Sequence, residues 1–213
     1  MRITPFLYAD FANEAGLVAV GGDLKPHRLI RAYQNGVFPW YDAGDPICWW
    51  SPDPRAIFEL GRMHVSRRLQ RTIRSGRFRY TVDQDFSQVI HACAEGREDG
   101  TWITPEMIDA YQTLHSLGYA HSVEAWREGK VAGGVYGVAI GGFFAGESMF
   151  HRETDASKAA LVFLAERLAS RGFLLFDIQF LTDHTARMGA IEIPRNRYLA
   201  RLADALNRRV RFA

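Results

Sequence analysis

The stretch AHSVEAWREGKVAGGVYGVAIGGFFAGESMFHRETDASKAALVFLAERLASRGFLLFDIQF, residues 120–180, decides the fold. It opens with three strand-like runs, Ala120–Trp126, Val131–Ile140 and Gly142–Phe150, separated by Glu128-Gly129 and Gly141-Gly142. Apolar, β-branched and aromatic runs joined by two-residue glycine turns read as an antiparallel meander. Asp155 then caps a helix over Ala156–Ser170, with Ala160, Leu161, Leu164 and Leu168 as apolar positions and Gly172 as its stop. Phe173–Phe180 follows as a further strand.

Downstream, Asn196–Arg209 reads as a last amphipathic helix. The order strand–strand–strand–helix–strand–helix is an α+β pattern, with helices packed on a mainly antiparallel sheet. Upstream, Thr104 caps a helix over residues 104–117 with Pro105 at its first position and Gly118 at its end. Phe86–Cys93 is a helix, Phe78–Val82 a short strand, and Ser66 caps a helix that Gly76 stops. The first 54 residues differ in texture: a Gly21-Gly22-Asp23 turn, a short helix over His27–Gln34, then VFPWYDAGDPICWWSPDPR. Prolines 39, 46, 52 and 54 argue against a long helix or a central strand there. The expected division is a small N-terminal domain, residues 1–54, and a larger one, residues 55–213.

With 213 residues, 47% hydrophobic and 23% charged, the chain can bury a sizeable core and is neither disordered nor a low-complexity repeat. A net charge of +2 announces no global nucleic-acid surface, so any basic patch must be local. Cys48 and Cys93 give neither a disulfide framework nor metal-ligand spacing, and the seven histidines show no metal motif. The first residues lack the apolar stretch of a signal peptide, and no segment is apolar for long enough to span a bilayer. These features predict a soluble, cytoplasmic protein without a metal.

Four groups of residues invite chemistry. In FLLFDIQF, strand alternation puts Leu174, Phe176, Ile178 and Phe180 on one face and aims Asp177 and Gln179 together to the other. Polar neighbours on an apolar strand are costly unless paired or wet, so they mark either a site or a structural hydrogen bond. Glu147 and Ser148 lie in a glycine-rich strand just before a helix N-terminus; the glycines fit close approach by a ligand or by another backbone. Arg62, Arg67, Arg68, Arg71, Arg74, Arg77 and Arg79 run without an intervening acid, and Arg67, Arg71 and Arg74 share a helix face, a pattern that suits phosphates better than a solvated face of mixed sign. Tyr33, Phe38, Trp40, Tyr41, Trp49, Trp50, Trp102 and Tyr111 staple a subdomain or, for two or three of them, stack on a base. No G-x-G-x-x-G, Walker A or G-x-S-x-G pattern occurs.

The blocks GVFPWY, WWSPDPRAIF, TWIT, AHSVEAW, GGVYGVAIGG, GESMF, DASKAAL, FDIQ and DHTARMGA resemble those of the leucyl/phenylalanyl-tRNA–protein transferase family, over about Gly16 to Leu202. The resemblance implies a small N-terminal domain joined to a domain like that of the GCN5-related acetyltransferases. It also implies transfer of Leu or Phe from leucyl-tRNA or phenylalanyl-tRNA to an N-terminal Arg or Lys, marking the acceptor for degradation; since an apolar pocket discriminates by shape at about 1–3 kcal/mol per methylene, Met is expected as a weak substrate. Carried over, it assigns Asp177 and Gln179 to the reaction centre. There Gln179 is expected to accept a hydrogen bond from the attacking amine, with Asp177 either orienting the Gln179 amide or acting as the base. Trp40, Trp102, Phe144, Glu147 and Met149, with Leu164 and Ser170, border the aminoacyl-adenosine pocket, where Val135 replaces a methionine common in the family. Arg67, Arg68, Arg71, Arg74 and Arg77 would hold the tRNA, in a monomer that needs no cofactor. The alternatives are a CoA-dependent N-acyltransferase, whose R/Q-x-x-G-x-G/A loop is replaced here by HRETDASK, and a non-catalytic tRNA or peptide binder.

Overall fold

The computed structural model describes residues 8–95 and 101–213; the opening residues read above for a signal peptide therefore lie partly outside it. The first part holds β1 (Leu17–Val20), α1 (Pro26–Gln34), β2 (Phe38–Pro39) and β3 (Cys48–Trp50). It forms a three-stranded sheet in the order β1-β3-β2. Contrary to the expectation from the prolines, a central strand does form: three residues between Pro46 and Pro52 suffice for β3, and Pro39 sits on the edge strand.

The rest comprises β4 (Arg55–Phe58), α2 (Arg67–Arg74), β5 (Arg79–Val82), α3 (Phe86–Ala94), α4 (Pro105–Ser116), β6 (Ala120–Arg127), β7 (Lys130–Ile140) and β8 (Phe143–His151). Then come α5 (Ala156–Ser170), β9 (Leu175–Gln179), α6 (Asp183–Arg187), β10 (Ala190–Ile193) and α7 (Arg195–Leu206). The larger sheet has the order β10-β4-β9-β8-β7-β6-β5, antiparallel throughout except between β8 and β9. This is an α+β architecture with the meander and the following helix where the sequence puts them. Caps hold the helix starts: the Ser66 hydroxyl accepts from Leu69 N–H, Asp85 from Gln88 N–H and Thr104 from Met107 N–H.

Strand alternation sorts the core into two layers. On β7, Tyr136 and Val138 join Leu29, Tyr33, Phe86, Met107, Tyr111 and Tyr198 on one face. Val135 and Ala139 join Leu69, Phe144, Leu161, Leu164 and Phe176 on the other. Residues of the first part thus share a core layer with α3, α4 and α7. Two of the β7 glycines make room for backbone: a Cβ at Gly137 would lie 2.1 Å from Ala145 O, and one at Gly133 2.9 Å from Ser157 N at the start of α5.

Three local expectations are corrected. The strand over Phe173–Phe180 shrinks to β9, because Phe173 N–H still closes the end of α5 onto Leu168 O and, at the other end, Gln179 takes a left-handed φ of 59°. Leu174 packs in the same layer as Leu175, and Phe180 turns outward onto Phe38 and Trp40, so the shared apolar face reduces to Phe176 and Ile178. Asp155 stands at the cap of α5, but its backbone is also left-handed rather than extended, and its side chain makes no capping bond; it takes Arg68 at 3.2 Å and Lys158 at 3.4 Å instead. The last helix stops at Leu206, where Arg208 N–H closes a turn onto Ala205 O.

Candidate active site

The parallel pairing of β8 with β9 runs through Phe143↔Leu175, Phe144↔Phe176 and Ala145↔Asp177 and ends there. Past that point Gly146, Glu147, Ser148 and Met149 on one side and Ile178, Gln179 and Phe180 on the other line a cleft. Both strands are irregular at its mouth. Against β7, Tyr136 faces Ser148 and Gly137 faces Gly146, so Glu147 is the extra residue of a bulge. Against β4, Ala56 faces Gln179 and Ile57 faces Asp177, so Ile178 is extra. Bulges re-aim side chains beside functional sites, and a left-handed non-glycine residue costs about 1–3 kcal/mol, strain that concentrates at such sites.

Asp177 is fully buried beneath the cleft and does not line it. Its carboxylate takes both arms of Arg55, Nε to Oδ1 at 2.8 Å and Nη2 to Oδ2 at 2.7 Å, and accepts from Tyr198 Oη at 3.0 Å. The Arg55 guanidinium lies between the rings of Phe38 and Tyr198, 4.7 and 4.5 Å from their centres, and Nη1 donates to Gly36 O. Burial alone would lower the Arg55 pKa, but the charge and hydrogen bond of Asp177, joined by Tyr198 and Glu147, together outweigh it and keep the group above the ordinary arginine range. Oδ1 also accepts the Gln179 backbone N–H at 3.0 Å. The contact that orients Gln179 is therefore to its main chain, not to its carboxamide. Arg55 and Tyr198 carried no expectation from sequence; a charged residue heading the apolar run RAIF is the one signal that pointed to Arg55.

Gln179 presents its carboxamide to the cleft and donates from Nε2 to Glu147 Oε1 at 3.5 Å. Glu147 Oε2 accepts from Tyr111 Oη at 3.3 Å, and Tyr111 is hydrogen-bonded to Tyr33. Burial pushes the Glu147 carboxyl up to about 8, the neighbouring Asp177 charge adds to this, and the tyrosine hydrogen bonds and Arg55 oppose it.

Two cavities of about 290 Å³ each meet at these residues. One is largely apolar, with Phe58, Val135, Met149, Leu161, Phe176 and Ile178 in its wall. The other is lined by Phe38, Pro39, Trp40 and Trp102. Glu147, Ile178, Gln179, Phe180 and Thr182 belong to both. Of the residues expected around a pocket, Trp40, Trp102, Glu147 and Met149 line these cavities. Phe144 and Leu164 lie in the core behind them, where Leu161 supplies the α5 contribution, and Ser170 is exposed at the far end of α5 with its hydroxyl on Arg167 O.

Every arginine of the expected basic cluster is exposed. Arg68 pairs with Asp155 and Arg77 with Glu153, both in the turn before α5, while Arg79 lies over the Trp126 ring. Among the described residues Arg67, Arg71 and Arg74 have no ion-pair partner. Met149 joins the apolar cavity to a neighbouring one lined by His151, Asp155, Ser157, Lys158 and His184, next to this basic face. Among the described residues no group of three His, Cys, Asp or Glu side chains is placed to hold a metal, and no helix is long and apolar enough to cross a membrane.

Comparison with known proteins gives consistent matches. Residues 57–203 match the family model described as leucyl/phenylalanyl-tRNA protein transferase, and residues 22–53 match that of its N-terminal domain. A leucyl/phenylalanyl-tRNA–protein transferase of Alkalilimnicola ehrlichii is 56% identical over 208 residues, 95% of this chain and 81% of that protein. One from an Anaeromyxobacter species is 57% identical over 211 residues, 97% of this chain and 89% of that protein. Among solved structures, a ribosomal-protein-alanine N-acetyltransferase from Brucella melitensis aligns with a TM-score of 0.38 and 17% identity over 50% of this chain and 81% of that one.

Proposed function

The chain belongs to the leucyl/phenylalanyl-tRNA–protein transferase family, an aminoacyltransferase family, and we propose that it moves Leu or Phe, and Met weakly, from the tRNA 3′ end to the N-terminal Arg or Lys of acceptor proteins. The acceptors so extended would enter N-degron degradation, in the cytoplasm where charged tRNA is found, and the enzyme would act as a monomer. The observation that carries this reading is the meeting of an apolar cavity with a tryptophan-lined one at Glu147 and Gln179. An aminoacyl-adenosine has that same division: an apolar side chain, an ester, and a base that stacks on aromatic rings.

The ester linkage then falls at the junction. Aminolysis of an ester runs downhill, so holding the acceptor amine against the carbonyl is the main task, and orientation alone supplies roughly 7–11 kcal/mol in favourable cases. Gln179 Oε1 accepts from the amine while Nε2 rests on Glu147. Asp177 acts from below, fixing the left-handed Gln179 backbone, and its burial leaves Glu147 as the acid that faces a cationic acceptor. Selection of Leu and Phe is by shape, where one methylene is worth about 1–3 kcal/mol. Arg67, Arg71 and Arg74 would take acceptor-stem phosphates, with Arg68 and Arg77 beside them.

Radiolabelled Leu-, Phe- and Met-tRNA and acetyl-CoA, each offered with an Arg-starting peptide, test the reading. Label should pass from Leu- and Phe-tRNA, weakly from Met-tRNA, and not from acetyl-CoA. Transfer from acetyl-CoA would make the enzyme a CoA-dependent acyltransferase; tRNA bound with its ester intact would make it a binding module.

A further inference from the structure

Tyr33 and Tyr111 are two buried phenols that the proposed reaction leaves unused, and they lead to the acid at the cleft junction. Tyr33 on α1 and Tyr111 on α4 hydrogen-bond each other, and Tyr111 Oη reaches Glu147 Oε2 at 3.3 Å while Gln179 Nε2 holds Oε1 at 3.5 Å. From this geometry we propose that Glu147 is a catalytic residue that takes the proton from the attacking α-amine and hands it to the leaving 3′-oxygen, with Tyr111, backed by Tyr33, positioning its carboxyl. The inference rests on the aminoacyl-transfer reading above.

The balance of the step requires such a carrier. A C–N bond forms, the ester C–O bond breaks, one proton leaves nitrogen and one arrives on the 3′-oxygen, and Glu147 ends as it began. Gln179 is too weak a base to carry a proton near neutral pH. Asp177 is held as a carboxylate by the Arg55 charge and lines neither cavity. Glu147 alone lines both cavities with a titratable oxygen, among the residues that do so. A pKa raised by burial to about 8 lies beside that of an α-amine, about 7.7–8.0, the match that proton exchange favours. The groups around it are Tyr33, Tyr111, Arg55, Asp177 and, farther off, Tyr198, with Tyr136 beside Tyr111. Burial holds the phenols of Tyr33 and Tyr111 well above their ordinary range, so both remain donors while Glu147 titrates.

Single-turnover transfer from Phe-tRNA to an Arg-starting peptide, followed from about pH 6 to about pH 9.5, separates the two ionisations that a neutral amine and an ionised Glu147 require. Glu147→Gln should lose about 10²–10⁴-fold in rate and keep the amine's ionisation alone, with Phe-tRNA affinity retained. Tyr111→Phe removes a donor that favours the carboxylate, so the enzyme's ionisation should move to higher pH; a purely structural role would depress the rate at every pH without moving it. A Glu147→Gln enzyme with wild-type rate and both ionisations overturns the inference, as does one that loses Phe-tRNA binding together with its rate. An unaltered chain that transfers no Phe at all overturns the aminoacyl-transfer reading as well.

Discussion

Removing the Asp177 carboxylate leaves the Arg55 guanidinium buried without its counter-charge, a loss of about 3–5 kcal/mol out of a typical total of about 5–15 kcal/mol. Asp177→Ala should therefore show a much lower denaturant midpoint, and its loss of transfer will not separate from its loss of fold. Gln179 offers the cleaner test. Gln179→Gly deletes the carboxamide and suits the left-handed backbone, so transfer should fall at least tenfold while the unfolding midpoint does not. Glu147 carries a pH signature of its own. Its carboxyl titrates near 8 in the fold against an ordinary 4.5, so the folded state binds more protons between those values and loses stability as pH rises through them. Glu147→Gln should thus gain thermal stability relative to the unaltered enzyme as pH climbs from about 5 to about 8, and an equal difference at both ends would refute that ionisation.

At the scale of elements, α2 and the turn that follows it show how a charge run divides its labour. Arg68 and Arg77 engage the turn before α5, whereas Arg67, Arg71 and Arg74 face solvent. Replacing those three by alanine should weaken tRNA binding and lower the slope of log affinity against log salt by about 0.7–0.9 for each phosphate left without its arginine. The fold should be untouched, since none of the three has an ion-pair partner among the described residues. An unchanged salt slope in a titration from low to moderate ionic strength would take the helix out of RNA recognition. β8 and β9 matter in a different way: the end of their pairing at Ala145↔Asp177 opens the cleft, and the bulge at Glu147 turns its carboxyl toward Gln179.

Across the molecule, Arg55 joins parts that are far apart in sequence. It is held by Gly36 and Phe38 from the first part, by Asp177 on β9 and by Tyr198 on α7. The same joint brings Trp40 over to Trp102 and to the cleft. If these rings stack on the adenine, Trp40→Ala and Trp102→Ala should each weaken donor binding by about 1–3 kcal/mol, read as a raised KM for Phe-tRNA. A KM unchanged in both variants would place the base elsewhere.

Local order was legible in the chain: the meander, the helix that follows it and the caps at Ser66 and Thr104 all rest on spacing and on neighbouring residues. The motif blocks also carried the family. What sequence could not supply depends on contacts across long separations. Arg55 meets Asp177 over 122 positions and Tyr33 meets Tyr111 over 78, and no local periodicity encodes either. Alternation alone also aimed Asp177 and Gln179 at a common surface; the tertiary structure buries the first against an arginine and turns the second into the cleft through a left-handed backbone. Burial, strain and proton affinity are set by which distant groups pack together, and that is decided only when the two sheets and their helices close on one another.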